Sequence, residues 1–155
     1  MQESIVPLMS NRTWYARICA LAHDLCDAAA TEEPRCLRQT IGLFMMAPAG
    51  QKARFAKLPT IHQLEALIAV GAGESAALAL LPSDAAYIVS RGSNGVHLAS
   101  VMLDGVDEEV AAEASTAGLA ILAAFAGALT NAGPLPVVHG EPAPMALPAR
   151  PGYLH

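Results

Sequence analysis

The chain has 155 residues and a formal net charge of −5, with a sequence pI near 5.4. This length indicates one domain that can bury a core, and the acidic balance argues against non-specific binding to nucleic acid or to an anionic membrane. Hydrophobic residues make up 54% of the chain, but 32 of them are Ala, so the supply of large apolar side chains is ordinary.

The first segment predicts a short arm followed by a helix. Residues 1–10 lack the basic and apolar regions of a signal peptide. Ser10 or Asn11 can cap a helix that runs from about residue 12 to residue 30 and ends before Pro34. Its apolar stripe repeats at four- and three-residue steps: Trp14, Ile18, Leu21 and Leu25.

The chain contains three cysteines, and this odd number indicates free thiols in the cytoplasm rather than a disulfide framework. Cys19, His23 and Cys26 lie at i, i+4 and i+7 on the predicted helix, and Cys36 follows it, so soft ligands could share a zinc ion. There is no C-x-x-C pair, however. Helical projection places Cys19 and Cys26 beside the apolar stripe, where cysteine behaves as a small hydrophobe. We therefore predict no metal site.

The next segment predicts a strand and a basic connection. Residues 36–48 alternate weakly in hydrophobicity, which favours a strand. Between Pro34 and Leu64 there are five basic residues and no acidic one: Arg35, Arg38, Lys52, Arg54 and Lys57. Such a run could bind a small anionic ligand through a phosphate or a carboxylate, although charge runs more often face solvent.

Thr60 and Gln63 form the pattern of a capping box, which predicts a helix from Ile61 to about Val70. Two glycines then break this helix, and residues 75–81 predict a second short helix or a strand. DNA readout from that second helix is not expected, because ESAALALL offers no side chain that reads base edges.

The glycine turn also supports an alternative function. Gly71–Ala76 fits G-x-G-x-x-A, and Arg91 lies about where a dinucleotide fold discriminates the ribose, so the chain could be a small NADP-, flavin- or nucleotide-binding enzyme. The cofactor-binding residues would be Gly71, Gly73 and Ser75. The capping box argues against this hypothesis, because it makes residues 61–70 a helix. An antiparallel hairpin after the turn also argues against it, because the fingerprint requires a parallel βαβ unit. We therefore favour a helix–helix turn and expect no cofactor.

A nucleophile elbow is the other catalytic hypothesis. Ser75 stands in a degenerate G-x-S-x-G pattern, and Asp104 or Asp107 and then His139 follow in the order of the hydrolases. The second glycine is absent and the chain is short for that fold. We therefore identify no catalytic constellation.

Asn94-Gly95 predicts a type I′ turn between strands at 85–90 and 96–103. A loop of two or four residues would place Tyr87, Val89 and Arg91 on one face with Leu98. Neither face is clearly polar, so we expect both faces to be covered near the base of the hairpin. Polar groups on this apolar hairpin are the candidate ligand-binding residues: Tyr87, Arg91 and His97.

Asp107 predicts the start of a long C-terminal helix that extends to about Leu129. One side carries large apolar residues and the other carries small uncharged ones, which predicts that a second helix covers the small side. The uncharged part, 114–129, is short of the roughly 20 residues of a membrane span. Residues 133–155 contain six of the eleven prolines and form a Pro-rich tail.

Together these elements predict an α+β domain at 1–132, followed by the tail at 133–155. A small antiparallel sheet containing the hairpin packs against the long C-terminal helix and the N-terminal helix. Three strands are few for a stable sheet, so residues 77–81 or a dimer would complete it. We expect an Ala-rich cytoplasmic homo-oligomer, most simply a homodimer, that binds another protein or a small ligand.

Overall fold

The computed structural model describes residues 9–133. Its helices and strands follow in this order: α1 (Asn11–Asp27), α2 (Glu33–Met45), α3 (Ile61–Ala69), α4 (Gly73–Ala79), β1 (Ala86–Arg91), β2 (His97–Met102), β3 (Val110–Ala114) and α5 (Ala117–Ala132). Short 3₁₀ helices at Ala30–Glu32 and Ala49–Phe55 flank α2. The strands form an antiparallel sheet in the order β1-β2-β3, and α5 packs on it, which confirms the predicted α+β class.

Helix α5 is the centre of the core. It contacts α1, α4, β2 and β3, and its side chains are buried along nearly its whole length. Gly118, on the side of the helix that carries Ile121 and Phe125, lies against Gly73 of α4. A Cβ at residue 118 would be only 3.0 Å from the Gly73 carbonyl oxygen. On the small-residue side, a Cβ at Gly127 would lie 2.8 Å from Val110 Cγ1 of β3. Strand β3 therefore packs against this side, and the prediction that a second helix covers it is not confirmed.

The two helices with local capping signals form as predicted. Ser10 accepts a hydrogen bond from the Thr13 amide at the start of α1, and the apolar stripe of that helix is buried. Thr60 and Gln63 form the reciprocal capping box of α3. Helix α1 ends at Asp27, and Pro34 lies in the first turn of α2, where its missing N–H would have no helical partner.

The strand predicted at residues 36–48 is wrong, because this segment forms α2. Its apolar residues also fit a helical period, and Leu37, Ile41 and Phe44 lie at i, i+4 and i+7 on the buried face. Weak alternation over so few positions does not separate a strand from a helix.

The predicted start of the C-terminal helix is also wrong. Residues 110–114 form β3, and α5 begins at Ala117, where the Thr116 hydroxyl accepts from the Leu119 amide at 3.0 Å. The Ala and Glu residues of β3 favour a helix locally, but pairing with β2 outweighs this preference. The third strand of the sheet is therefore β3, and the optional strand at 77–81 falls largely in α4.

The hairpin forms with a different turn. The Gly92 amide donates to Val96 O at 2.8 Å and the Gly95 amide donates to Gly92 O at 3.0 Å, so the loop consists of Ser93, Asn94 and Gly95. Gly95 has φ of +86°, whereas Asn94 has a negative φ, which excludes the predicted type I′ turn. This is the three-residue loop in which a left-handed glycine follows a tight turn.

The odd loop length changes which side chains share a face. Tyr87 pairs with Val101, Val89 with Ala99, and Arg91 with His97. The predicted grouping of Tyr87, Val89 and Arg91 with Leu98 is therefore wrong, because a shift of one residue moves a strand's side chains to the opposite face.

Candidate functional site

The inner face of the sheet is covered unevenly. Helix α5 lies under β2 and β3 and contacts β1 at few positions. Ala99 and Val101 of β2 are fully buried, whereas Tyr87 on the same face of β1 is 48% exposed. Strand β1 therefore projects beyond the helix that supports the rest of the sheet.

The outer face of the sheet is open, and three large apolar side chains lie on it among Ser100 and Glu113. Ile88 is 66% exposed, and Leu98 and Met102 are 39% and 37% exposed. Ile88 lies opposite Ser100, with Leu98 and Met102 on either side along β2. We call Ile88, Leu98 and Met102 the outer sheet patch. The prediction that both faces of the hairpin are covered is wrong for this face.

The outer edge of β1 pairs with no strand among residues 9–133. The hydrogen-bonded pair Gly92/Val96 determines the alternation along the hairpin, so the backbone N–H and C=O groups of Tyr87, Val89 and Arg91 point away from β2. The strand contains no Pro, and its only charged residue is Arg91 at its end. Proline and charged side chains within an edge strand are features that prevent unwanted pairing, and β1 has neither before Arg91.

The opposite edge of the sheet differs in both charge and surroundings. Glu113 lies within β3, and Glu109 comes immediately before it. The Ser115 hydroxyl donates to Ala28 O at 2.7 Å, which ties the end of β3 to the end of α1. Within residues 9–133, β1 is thus the more accessible edge for another strand.

The predicted ligand-binding residues do not converge. Arg91 and His97 face each other across β1 and β2, but Tyr87 lies four residues from Arg91, about 13 Å along the strand. None of the three lines either of the two cavities described below. The structure therefore brings together Arg91 and His97 and separates both from Tyr87.

The glycine turn joins two helices. Residues 66–69, where the dinucleotide fingerprint requires a strand, belong to α3, and β1 pairs antiparallel with β2. Gly71 takes φ of +77° between α3 and α4, and Ser75 is exposed on α4. The strand–turn–helix geometry of the alternative hypothesis is therefore not present at this turn.

Gly73 has a packing role that the sequence did not reveal. The Glu33 carboxylate lies in a niche between Gly73 and Gly118, where a Cβ on either glycine would overlap it. The Thr116 hydroxyl donates to Glu33 Oε2 at 2.5 Å. The glycines at the starts of α4 and α5 thus make room for a carboxylate that α2 supplies.

The basic segment is divided among several surroundings. Arg35 pairs with Glu32, and Arg38 donates two parallel hydrogen bonds to the Glu65 carboxylate, which lower the pKa of Glu65. Arg54 and Lys57 line one cavity, and Lys52 lines another. The five basic residues therefore do not form a single anion-binding surface.

The first cavity has a volume of about 330 Å³ and lies between residues 53–57 and the two chain segments at the base of the hairpin. Arg54 Nη1 donates to Gln51 Oε1 at 2.8 Å. Gln51 is fully buried, and its amide nitrogen donates to the Tyr15 hydroxyl and to Gly133 O. Burial lowers the pKa of Arg54, while Tyr15 and Asp84 oppose that shift. We call this first cavity the Arg54 cavity.

A second cavity, of about 420 Å³, is mainly apolar. Phe44 and Phe55 form part of its wall, and their rings stack with centroids 4.6 Å apart. Lys52 contributes its only charged side chain. This composition suits a hydrophobic contact more than the binding of an ion.

The three cysteines differ in their exposure to solvent. Cys19 and Cys26, on the flank of the apolar stripe of α1, are exposed, whereas Cys36 is buried. Burial raises the pKa of the Cys36 thiol. Within the described part of the chain, no three His, Cys, Asp or Glu side chains are grouped so that they could hold a metal ion.

No protein-family model, curated protein or solved structure that was compared with the chain matches it. None of the helices between residues 9 and 133 has both the length and the apolar character needed to cross a membrane.

Proposed function

We propose that this protein is a self-associating, protein-binding domain in which two copies pair through β1. The observation that supports this proposal is the exposure of β1: Tyr87 is open on the inner face, Ile88 is open on the outer face, and the outer edge has no partner strand within residues 9–133. An exposed edge strand with apolar side chains is a template for pairing with another strand.

A two-fold axis normal to the sheet would place the two β1 strands antiparallel. The outward backbone groups of Tyr87, Val89 and Arg91 would then bond to the same groups of the second copy. The two outer sheet patches would form one surface, with the Ile88 side chains near its centre. Pairing would also join two three-stranded sheets into one whose size is typical of stable sheets.

The size of the contact suggests a dimer of moderate affinity. A backbone hydrogen bond contributes about 0.5–1.5 kcal/mol net, and a fully buried large apolar side chain contributes about 1.5–3 kcal/mol. Loss of translational and rotational freedom opposes these terms by at least about 4 kcal/mol. A short strand with two exposed large side chains, Tyr87 and Ile88, therefore predicts a dissociation constant roughly in the micromolar range.

Sedimentation velocity of the full chain, from about 1 to about 200 μM, tests this proposal. We expect dimer to increase with concentration. Val89→Pro should shift the population to monomer, because proline removes an edge donor that β2 does not use. The far-ultraviolet circular dichroism of Val89→Pro should match that of the wild type, which shows that the domain remains folded.

A second substitution separates edge pairing from stacking of the outer faces. Ala111 lies on the outer face of β3, opposite Ser100 and away from the β1 edge. Ala111→Lys should leave the dimer intact, whereas Ile88→Lys should weaken it. A chain that stays monomeric throughout the range would refute the proposal. So would a dimer that Ala111→Lys dissociates and Val89→Pro does not.

The thiols support the further proposal that this domain functions in the cytoplasm. All three cysteines are free, including the exposed Cys19 and Cys26, and free thiols persist in a reducing compartment. Alkylation of the native protein in freshly lysed cells, followed by mass spectrometry, should find Cys19 and Cys26 unoxidised. Recovery of either residue in a disulfide would contradict this placement.

A further inference from the structure

We propose that the Arg54 cavity binds a small zwitterion, of the chemical class of a free amino acid, with the carboxylate at Arg54 and the ammonium group at Asp84 and Asp104. The cavity lies outside the β1 edge, so this proposal does not depend on the pairing of two copies. Its volume of about 330 Å³ is at the lower end of the range of small-molecule sites.

The two kinds of charge come from different parts of the cavity lining. Arg54 and Lys57 belong to the segment 53–57, and Asp84 and Asp104 belong to the segments that precede β1 and follow β2. Neither cation lies within 4.0 Å of a carboxylate oxygen in the described residues, whose ion pairs are Arg35–Glu32 and Arg38–Glu65. The opposite charges therefore line the same space without forming a direct ion pair.

The buried neighbours of Arg54 orient its guanidinium group. Arg54 Nη1 donates a hydrogen bond to Gln51 Oε1, and Gly133 O lies 3.5 Å from the same nitrogen. Nε and Nη2 donate to no acceptor in residues 9–133, which leaves one planar edge of the guanidinium for a carboxylate. Because the Gln51 side chain is itself held by Tyr15 and Gly133, this geometry exists before a ligand binds.

The carboxylates of the lining select against simple anions. Asp84 and Asp104 repel a ligand that carries only negative charge. They attract an ammonium group, so a ligand that carries an ammonium group as well as a carboxylate is favoured. A ligand that carries both groups satisfies both sets of side chains. Propionate, propylamine and inorganic phosphate each lack one of the two interactions.

Two-dimensional ¹H–¹⁵N NMR of the full chain tests the proposal, with each free amino acid added separately and with propionate, propylamine and phosphate as matched probes. We expect at least one amino acid to shift the amide signals of Ser83, Asp84 and Asp104 in a saturable way. The three matched probes should bind at least tenfold more weakly. The proposal is overturned if no amino acid shifts these amides at millimolar concentration, or if phosphate or propionate binds as tightly as the best amino acid.

Substitutions assign the two ends of the ligand. Arg54→Gln and Asp84→Asn should each weaken binding of the best amino acid by about ten- to a hundredfold. Asp84 is exposed, so Asp84→Asn tests the site without disturbing the buried contacts of Gln51. Arg91→Gln removes a cation outside the lining and serves as the control. Unchanged binding in Asp84→Asn, or equal loss in Arg91→Gln, would overturn the assignment.

Discussion

Substitution of Gly118 by Ala tests the close packing of α4 against α5. Gly118 is buried in the first turn of α5, and an added Cβ would lie 3.0 Å from Gly73 O and 3.2 Å from Gly73 C. It would also lie 2.5 Å from Glu33 Oε2. The carboxylate can rotate away, but the Gly73 backbone can yield only if the two helices separate.

The expected loss of stability combines three terms. Overpacking of a well-packed core costs about 1–3 kcal/mol. Displacement of the carboxylate breaks its hydrogen bond from Thr116, which costs about 1 kcal/mol. The greater helix propensity of Ala returns about 1 kcal/mol. We therefore expect Gly118→Ala to reduce the free energy of unfolding by about 1–3 kcal/mol, and the Tm by roughly 2–10 °C.

Urea denaturation followed by circular dichroism measures this change, and Gly42→Ala is its matched control. Gly42 lies in the exposed part of α2, and an added Cβ would meet no atom within 4 Å. The same substitution should therefore stabilise the chain there by about 0.5–1 kcal/mol. In a Glu33→Ala background the clash with the carboxylate is absent. The loss of unfolding free energy caused by Gly118→Ala should then be smaller, because only the clash with the Gly73 backbone remains.

Stabilisation of the chain by Gly118→Ala, like that expected for Gly42→Ala, would contradict the close contact of α4 with α5. That result would mean that α4 and α5 are further apart than the structure places them. A loss of more than about 5 kcal/mol would also disagree with it, because the Glu33 end of the contact can move into solvent.

Four further predictions concern the core, a cap and the titratable groups. Phe125→Ala, which removes the ring packed against Phe44 at a centroid distance of 5.3 Å, should cost about 3–5 kcal/mol in urea denaturation. Thr60→Ala should cost about 0.5–2 kcal/mol in the same assay, because it removes the cap of α3. Cys36 should react with a thiol reagent only when the chain unfolds, whereas the other two cysteines should react in the native state. Burial raises the pKa of Tyr15 and of Cys36, so their contribution to stability is present below their unfolded pKa values and is lost as the pH rises through the folded ones. Thermal denaturation should therefore show a decreasing Tm above about pH 9.

The helices with strong local signals were predictable from the sequence. In α1, the cap at Ser10 and the stripe from Trp14 to Leu25 both lie within one continuous segment. In α3, Thr60 and Gln63 bond to each other's backbone across three residues. Such interactions operate between near neighbours, so the order of residues contains the information needed to predict them.

The candidate site depended on contacts that local patterns do not encode. A three-residue loop, instead of two or four residues, determined the neighbours of Tyr87 and Arg91. The exposure of β1 depends on where α5 crosses the sheet, and the Arg54 cavity joins segments about 30 to 50 residues apart in the chain. No periodicity in the sequence predicts these distances.

The sequence alone predicts the α+β class, two capped helices, a hairpin near residue 94 and an apolar C-terminal helix. The tertiary structure decided that residues 110–114 are a strand, that residues 33–45 are a helix, and that β1 is exposed on both faces. The physical reason is the range of the interactions. Caps and amphipathic stripes act within a few residues, whereas strand pairing and burial act between distant segments and can outweigh local preference.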